Sequence, residues 1–130
     1  MSIIRSAIEV IKIMVDVRNN DAEVHENGHA AAARYYGMKV HENVVDGNGI
    51  SGHVVIDIPK DPYQYVVIAV AGIVAEDIAH GREPGVSIDD PHAYYDRAIA
   101  SKTIASMNGN EDEMIKQAVV DAARIIREAQ

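Results

Sequence analysis

His25, Glu26 and His29 stand in the run His-Glu-Asn-Gly-His. In a helix, residues four apart lie one turn above each other on the same face. Both imidazoles can therefore present a nitrogen to one metal ion at about 2.0–2.1 Å. Glu26 projects beside them, placed to take a proton from a water at that ion. The flanks Asp21-Ala22-Glu23-Val24 and Ala30-Ala31-Ala32-Ala33-Arg34-Tyr35-Tyr36 read as helix, which supplies the geometry. The chain has no cysteine, so a thiolate site is excluded and any metal must be held by His, Asp or Glu. The chemistry indicated is zinc-assisted hydrolysis. The competing reading is a surface helix with two solvated histidines and a glutamate.

The elements that must position these groups follow from hydrophobic period and breakers. At 130 residues the chain is expected to form one domain. Ile4, Ala7, Ile8, Ile11 and Val15 repeat at helical spacing and predict an amphipathic helix over residues 3–15. Asn19-Asn20-Asp21 breaks it, the metal helix runs over residues 22–36, and Gly37 closes it. Strand character over 38–45 and 50–58, separated by Asp46-Gly47-Asn48-Gly49, predicts a hairpin or small sheet. Asp61-Pro62 opens a third helix with an N-cap and a proline at N1, and Gln64 sits at N3 of a capping box. Val66, Val67, Ile68, Val70, Ile73 and Val74 make that helix apolar on nearly every side, the mark of a buried central helix. Helices are expected over 91–107 and 111–128.

A catalytic zinc takes three protein ligands and leaves a position for water. The extended pattern His-Glu-x-x-His-x-x-Gly-x-x-His is excluded, because Ala32 and Tyr35 occupy its Gly and final His positions. Glu76, on the apolar helix, qualifies as a third ligand by chemistry, and an aspartate would also serve.

Three blocks resemble the peptidase domain of the FtsH-type ATP-dependent zinc metalloproteases. The first is Val24-His25-Glu26-Asn27-Gly28-His29-Ala30, with Asn27 where Ala is usual. The others are Gly49-Ile50-Ser51-Gly52-His53 and Ala71-Gly72-Ile73-Val74-Ala75-Glu76-Asp77-Ile78. The likeness covers about residues 20–107. It implies an α+β, mostly helical, zincin-like fold with a small β-hairpin or sheet after the metal-binding helix. It also implies that the family's third ligand, an Asp, falls on Asp90 when the chain is run on from Gly81 without a gap. A slip of one residue would select Asp89, and Pro91 departs from the aliphatic residue usual after that Asp. Ser87-x-x-Asp90 would then form a capping box. On this reading His25, His29 and Asp90 hold Zn²⁺, Glu26 is the general base, and Glu76 accepts a hydrogen bond from a ligand or from the helix.

The expected activity is a zinc metallopeptidase that cuts flexible or unfolded polypeptide. The family's ATPase motor carries a loop ending in Gly-Lys-Ser/Thr, and no such run occurs here. Substrates would then be flexible segments, or a separate ATPase partner would deliver them; a homo-oligomer is the other partner considered. The other class of function is a catalytically silent peptidase fold that binds or regulates, against which Glu26 argues because a scaffold has no use for it. The net charge of −8 argues against nucleic acid as a partner. The N-terminal apolar stretch is interrupted by Arg5, Glu9 and Lys12, too short to span a bilayer, and lacks a signal-peptide pattern. No stable membrane insertion and a cytoplasmic location are expected. His41, His53, His80 and His92 have no spacing that ties them to the metal, with His53 and His92 nearest the cleft in sequence. Tyr94 and Tyr95 read as packing residues with wet hydroxyls, or as donors to a transition state. The 50–58 strand is read as a sheet edge, either simply capped or open to an extended peptide.

Overall fold

A computed structural model describes residues 10–16, 21–47 and 51–130. Strand β1 (Val10–Asp16) replaces the second half of the expected N-terminal helix, and residues 3–9 lie outside the described residues. The physical reason is that Ile11, Ile13 and Val15 also fit a period of two. A segment so rich in β-branched residues favours the pleated state once a partner strand is present. Lys12 is exposed between half-buried Ile11 and fully buried Ile13, as alternation requires.

Helix α1 (Ala22–Tyr35) follows, then β2 (Val40–Val45) and β3 (Ser51–Asp57). The three strands form an antiparallel sheet in the order β1-β3-β2. β3 is therefore the central strand, not an edge, and its backbone is committed on both sides, with Val54 paired to Ile13 and to Asn43. The open edges belong to β1 and β2. Val54 and Ile56 alternate inward from β3 and are fully buried. The register of β2 slips between Val40 and Glu42.

Helix α2 (Pro62–Ala79) is the core of the molecule, and every residue from Val66 to Asp77 is buried. It packs against α1, α3 (Tyr94–Ser106) and α4 (Glu111–Ala129), so its apolar surface is spent on three neighbours. By length and composition alone α2 could cross a membrane, with a mean hydropathy of 1.2 over 18 residues. Its enclosure accounts for that composition equally well. Asp61 accepts from the Tyr63 amide at 2.9 Å to start the helix, and the Tyr63 hydroxyl donates to Asp121 of α4 at 2.5 Å. With no Phe or Trp in the chain, the core is filled by Val, Ile and Ala, and the helices come close. A Cβ on Gly28 would lie 2.5 Å from the Ala71 carbonyl oxygen and 2.7 Å from the Ala75 Cβ. This intimacy sets α1 against α2 at the level of the two histidines.

The connection from α2 to α3 is held by one carboxylate. Asp77, fully buried, accepts from Arg82 Nε at 2.9 Å, the Gly85 amide at 3.0 Å, the Ser87 amide at 3.2 Å and Ser87 Oγ at 2.6 Å. Ser87 thus serves Asp77 rather than a capping box with Asp90.

Candidate metal centre

His25 and His29 leave α1 on the face turned to α2, with ring centroids 4.7 Å apart at 71°. Both are fully buried, as is Glu26. What makes room for the rings is a missing side chain. A Cβ on Gly72 would lie 2.4 Å from His25 Nε2 and 2.6 Å from His29 Nε2. Each imidazole is oriented through its other nitrogen. His29 Nδ1 donates to the Ile68 carbonyl at 2.7 Å, and His25 Nδ1 donates to the Glu76 carboxylate in a very short contact. Both Nε2 atoms then face the same point, the arrangement that fixes a metal-binding tautomer.

Asp96 meets them there. Its Oδ2 lies 2.6 Å from His25 Nε2 and 3.2 Å from His29 Nε2, and its side chain is 2 % exposed. His25, His29 and Asp96 offer three ligand atoms within 4.8 Å of one another. Asp90, expected here, instead begins the 3₁₀ turn Pro91–Ala93 with an extended backbone, is half-buried, and is not among the three. Asp89 is exposed and pairs with Arg97. Glu76 sits behind His25 rather than beside the ligand atoms, and the half-buried His92 approaches its other oxygen at 3.7 Å. The remaining histidines pair elsewhere: His41 with Asp57, His53 with Glu42 and His80 with Asp21.

Asp96 is six positions beyond Asp90 and stands in the first turn of α3. A signal for it exists in the sequence. Asp96, Ala100 and Ile104 recur every four residues and form the buried stripe of α3. A carboxylate in line with two apolar residues is one that the fold carries inward.

Electrostatics follow the geometry. Burial works against charge on His25, but the Asp96 carboxylate, aided by hydrogen bonds to Asp96 and Glu76, holds it up at about 10. Burial also opposes charge on Asp96, yet His29 and then His25 keep it below the usual carboxylate range. Burial pushes the Glu26 carboxyl up to about 7 against the pull of His29 and His25.

Four buried side-chain atoms lack a hydrogen-bond partner among the described residues, and all are in this cluster: both Glu26 oxygens, His29 Nε2 and Asp96 Oδ1. Each such atom costs about 1–3 kcal/mol when left unsatisfied. The donor set of two imidazoles and a carboxylate fits zinc, whose neighbouring tetrahedral ligands stand about 3.3 Å apart. The His29–Asp96 approach matches that spacing. The closer His25 contact is that of a protonated imidazole, so metal uptake would release a proton.

Beside the cluster, a cleft of about 620 Å³ opens between the sheet and α3. Gly52 of β3 lies in its wall, and a Cβ there would come 3.1 Å from Glu26 Oε2. Tyr95 also lines it and is 58 % exposed, so it is not a packing residue. A larger groove of about 720 Å³ runs past Val24, Gly28 and Ile125 and includes none of the cluster residues.

No protein-family model, curated protein or solved structure matches this chain. The likeness to FtsH-type peptidases rests on the sequence blocks alone.

Gly72→Ala tests the cradle. Alanine favours a helix by about 1 kcal/mol over glycine, so lost packing would not follow from propensity. Zinc affinity should nonetheless fall by about tenfold or more as the new methyl displaces both imidazoles. Unchanged affinity in a chelator competition titration would show that α2 does not approach the rings so closely.

Proposed function

We propose that this chain is a zinc-dependent, zincin-like metallopeptidase acting on flexible or unfolded polypeptide. The observation that carries the reading is the gathering of every unpartnered buried side-chain polar atom among the described residues at His29, Asp96 and Glu26. A buried ion-pair network built for stability would satisfy its members. This one is incomplete in the way that a metal and a water would complete.

His25, His29 and Asp96 would hold Zn²⁺. When bound, that ion lowers the pKa of a water toward neutrality and polarises a substrate carbonyl. Glu26 takes the proton from the attacking water and passes it to the leaving amine. In the metal-free site burial raises the proton affinity of its carboxyl. Glu76 and the Ile68 carbonyl keep the imidazoles turned inward throughout. Glu26 is buried behind Gly52, with no side chain of β3 between them, in the wall of the cleft where an extended peptide would pass.

Purified protein should contain one zinc per chain and cleave an unstructured casein-like substrate. A chelator should stop cleavage and added zinc restore it. Cleavage that persists in the fully metal-stripped protein would overturn the reading, whereas zinc without cleavage of any unstructured substrate would favour a binding module.

A further inference from the structure

The cleft beside Glu26 has more positive than negative side chains in its lining. Its sheet wall presents Lys12, Val44, Gly52 and His53, and its α3 wall presents Tyr95 and Lys102. Both lysines are exposed, one on each wall, and among the described residues neither forms an ion pair. His53 is already matched by Glu42 at 2.9 Å. The one carboxylate in the lining, Asp46, accepts from the Ser51 amide at 3.2 Å and from the Ser51 hydroxyl. The lining thus sets two lysines against one carboxylate, a positive balance in a chain whose net charge is −8.

The cleft also lies against the buried metal centre. Gly52 in one wall stands where a Cβ would come 3.1 Å from Glu26 Oε2, and Tyr95 on the other precedes Asp96 of the cluster. Its volume lies within the roughly 300–1,000 Å³ typical of binding clefts. An extended strand laid there would set its side chains against Val44 and Tyr95 and between the lysines.

We infer that this cleft binds the substrate polypeptide and selects segments with acidic side chains flanking the bond to be cut, with Lys12 and Lys102 as the specificity-determining residues. The inference rests on the peptidase reading. Long-range charge works the other way, since an acidic protein repels an acidic peptide. At physiological salt that repulsion is screened beyond about 8 Å, and the two local lysines decide.

The test uses paired fluorogenic peptides that differ only in Glu or Gln at the positions flanking one cleavable bond. At physiological salt the Glu peptide should show a kcat/KM roughly threefold to tenfold higher, the scale of two exposed charge contacts. In the double variant Lys12→Glu/Lys102→Glu that ratio should fall below one, with zinc content and thermal midpoint unchanged. Cleavage without a Glu preference, or a preference that the double variant keeps, would overturn this assignment and leave the peptidase reading standing. If neither peptide is cut, fluorescence anisotropy of the labelled peptides decides. Tighter binding of the Glu peptide by the parent than by the double variant supports the cleft assignment while removing the peptidase. Equal binding overturns the assignment.

Discussion

Asp96→Ala is expected to lower zinc affinity by at least about a hundredfold, while Asp90→Ala leaves it unchanged. Loss of a group that merely orients a ligand costs about 10–100-fold, so loss of a ligand sets a higher floor. Asp96 is the carboxylate that faces both Nε2 atoms, at 2.6 and 3.2 Å, from a side chain 2 % exposed. Asp90, half-buried, starts the 3₁₀ turn that precedes α3. Asp96→Asn guards against misfolding, because it keeps the shape of the side chain and a hydrogen-bonding oxygen but is a far poorer zinc ligand. Titration against a chelating dye, with a thermal melt on each variant, reads the outcome. Weak binding in the Asp90 variant with normal binding in the Asp96 variants would return the third ligand to the gapless register.

Glu26→Gln should cut peptide hydrolysis by at least about 10²-fold, the usual scale for a lost general base. Zinc should remain bound at one per chain, since Glu26 is not a ligand in this geometry. A second readout comes from the buried carboxyl itself in the metal-free protein. Its folded pKa, about 7, is above the usual 4.5, so the fold binds its proton more tightly than the unfolded chain does. Its contribution to stability therefore falls as pH rises from about 4.5 to about 7 and is constant above. The Gln variant should lose that slope and be the more stable of the two at pH 8. A Glu26→Gln protein that cleaves as fast as the parent would sink the mechanism.

The parts of the molecule that local rules govern were legible from sequence. The His-Glu-Asn-Gly-His spacing, the apolar run of α2 and the Asp61-Pro62 start each depend on neighbours within a turn or two. What failed depended on distant partners. Residues 10–16 carry a pattern that serves helix or strand, and only pairing with β3 resolves it. The place of β3 in the middle of the sheet followed from that same missed strand. The gapless count that pointed to Asp90 takes no account of the connection that Asp77 gathers through Arg82, Gly85 and Ser87. A buried carboxylate organising an extended connection leaves no periodic trace.

The thin attachment of α3 has a consequence for how the molecule would load. Along its 13 residues this helix buries Asp96, Ala100 and Ile104. Its inward carboxylate meets the imidazoles of α1, while Tyr95 and Lys102 on the same helix form one wall of the cleft. Whatever draws Asp96 toward His25 and His29 also fixes where that wall stands. On the proposed reading, ion and peptide would be thermodynamic partners, each raising the affinity of the other by the same factor. Peptide would hold the ion in place against a chelator, and the emptied protein would grip peptide less firmly at a surface that the ion never touches.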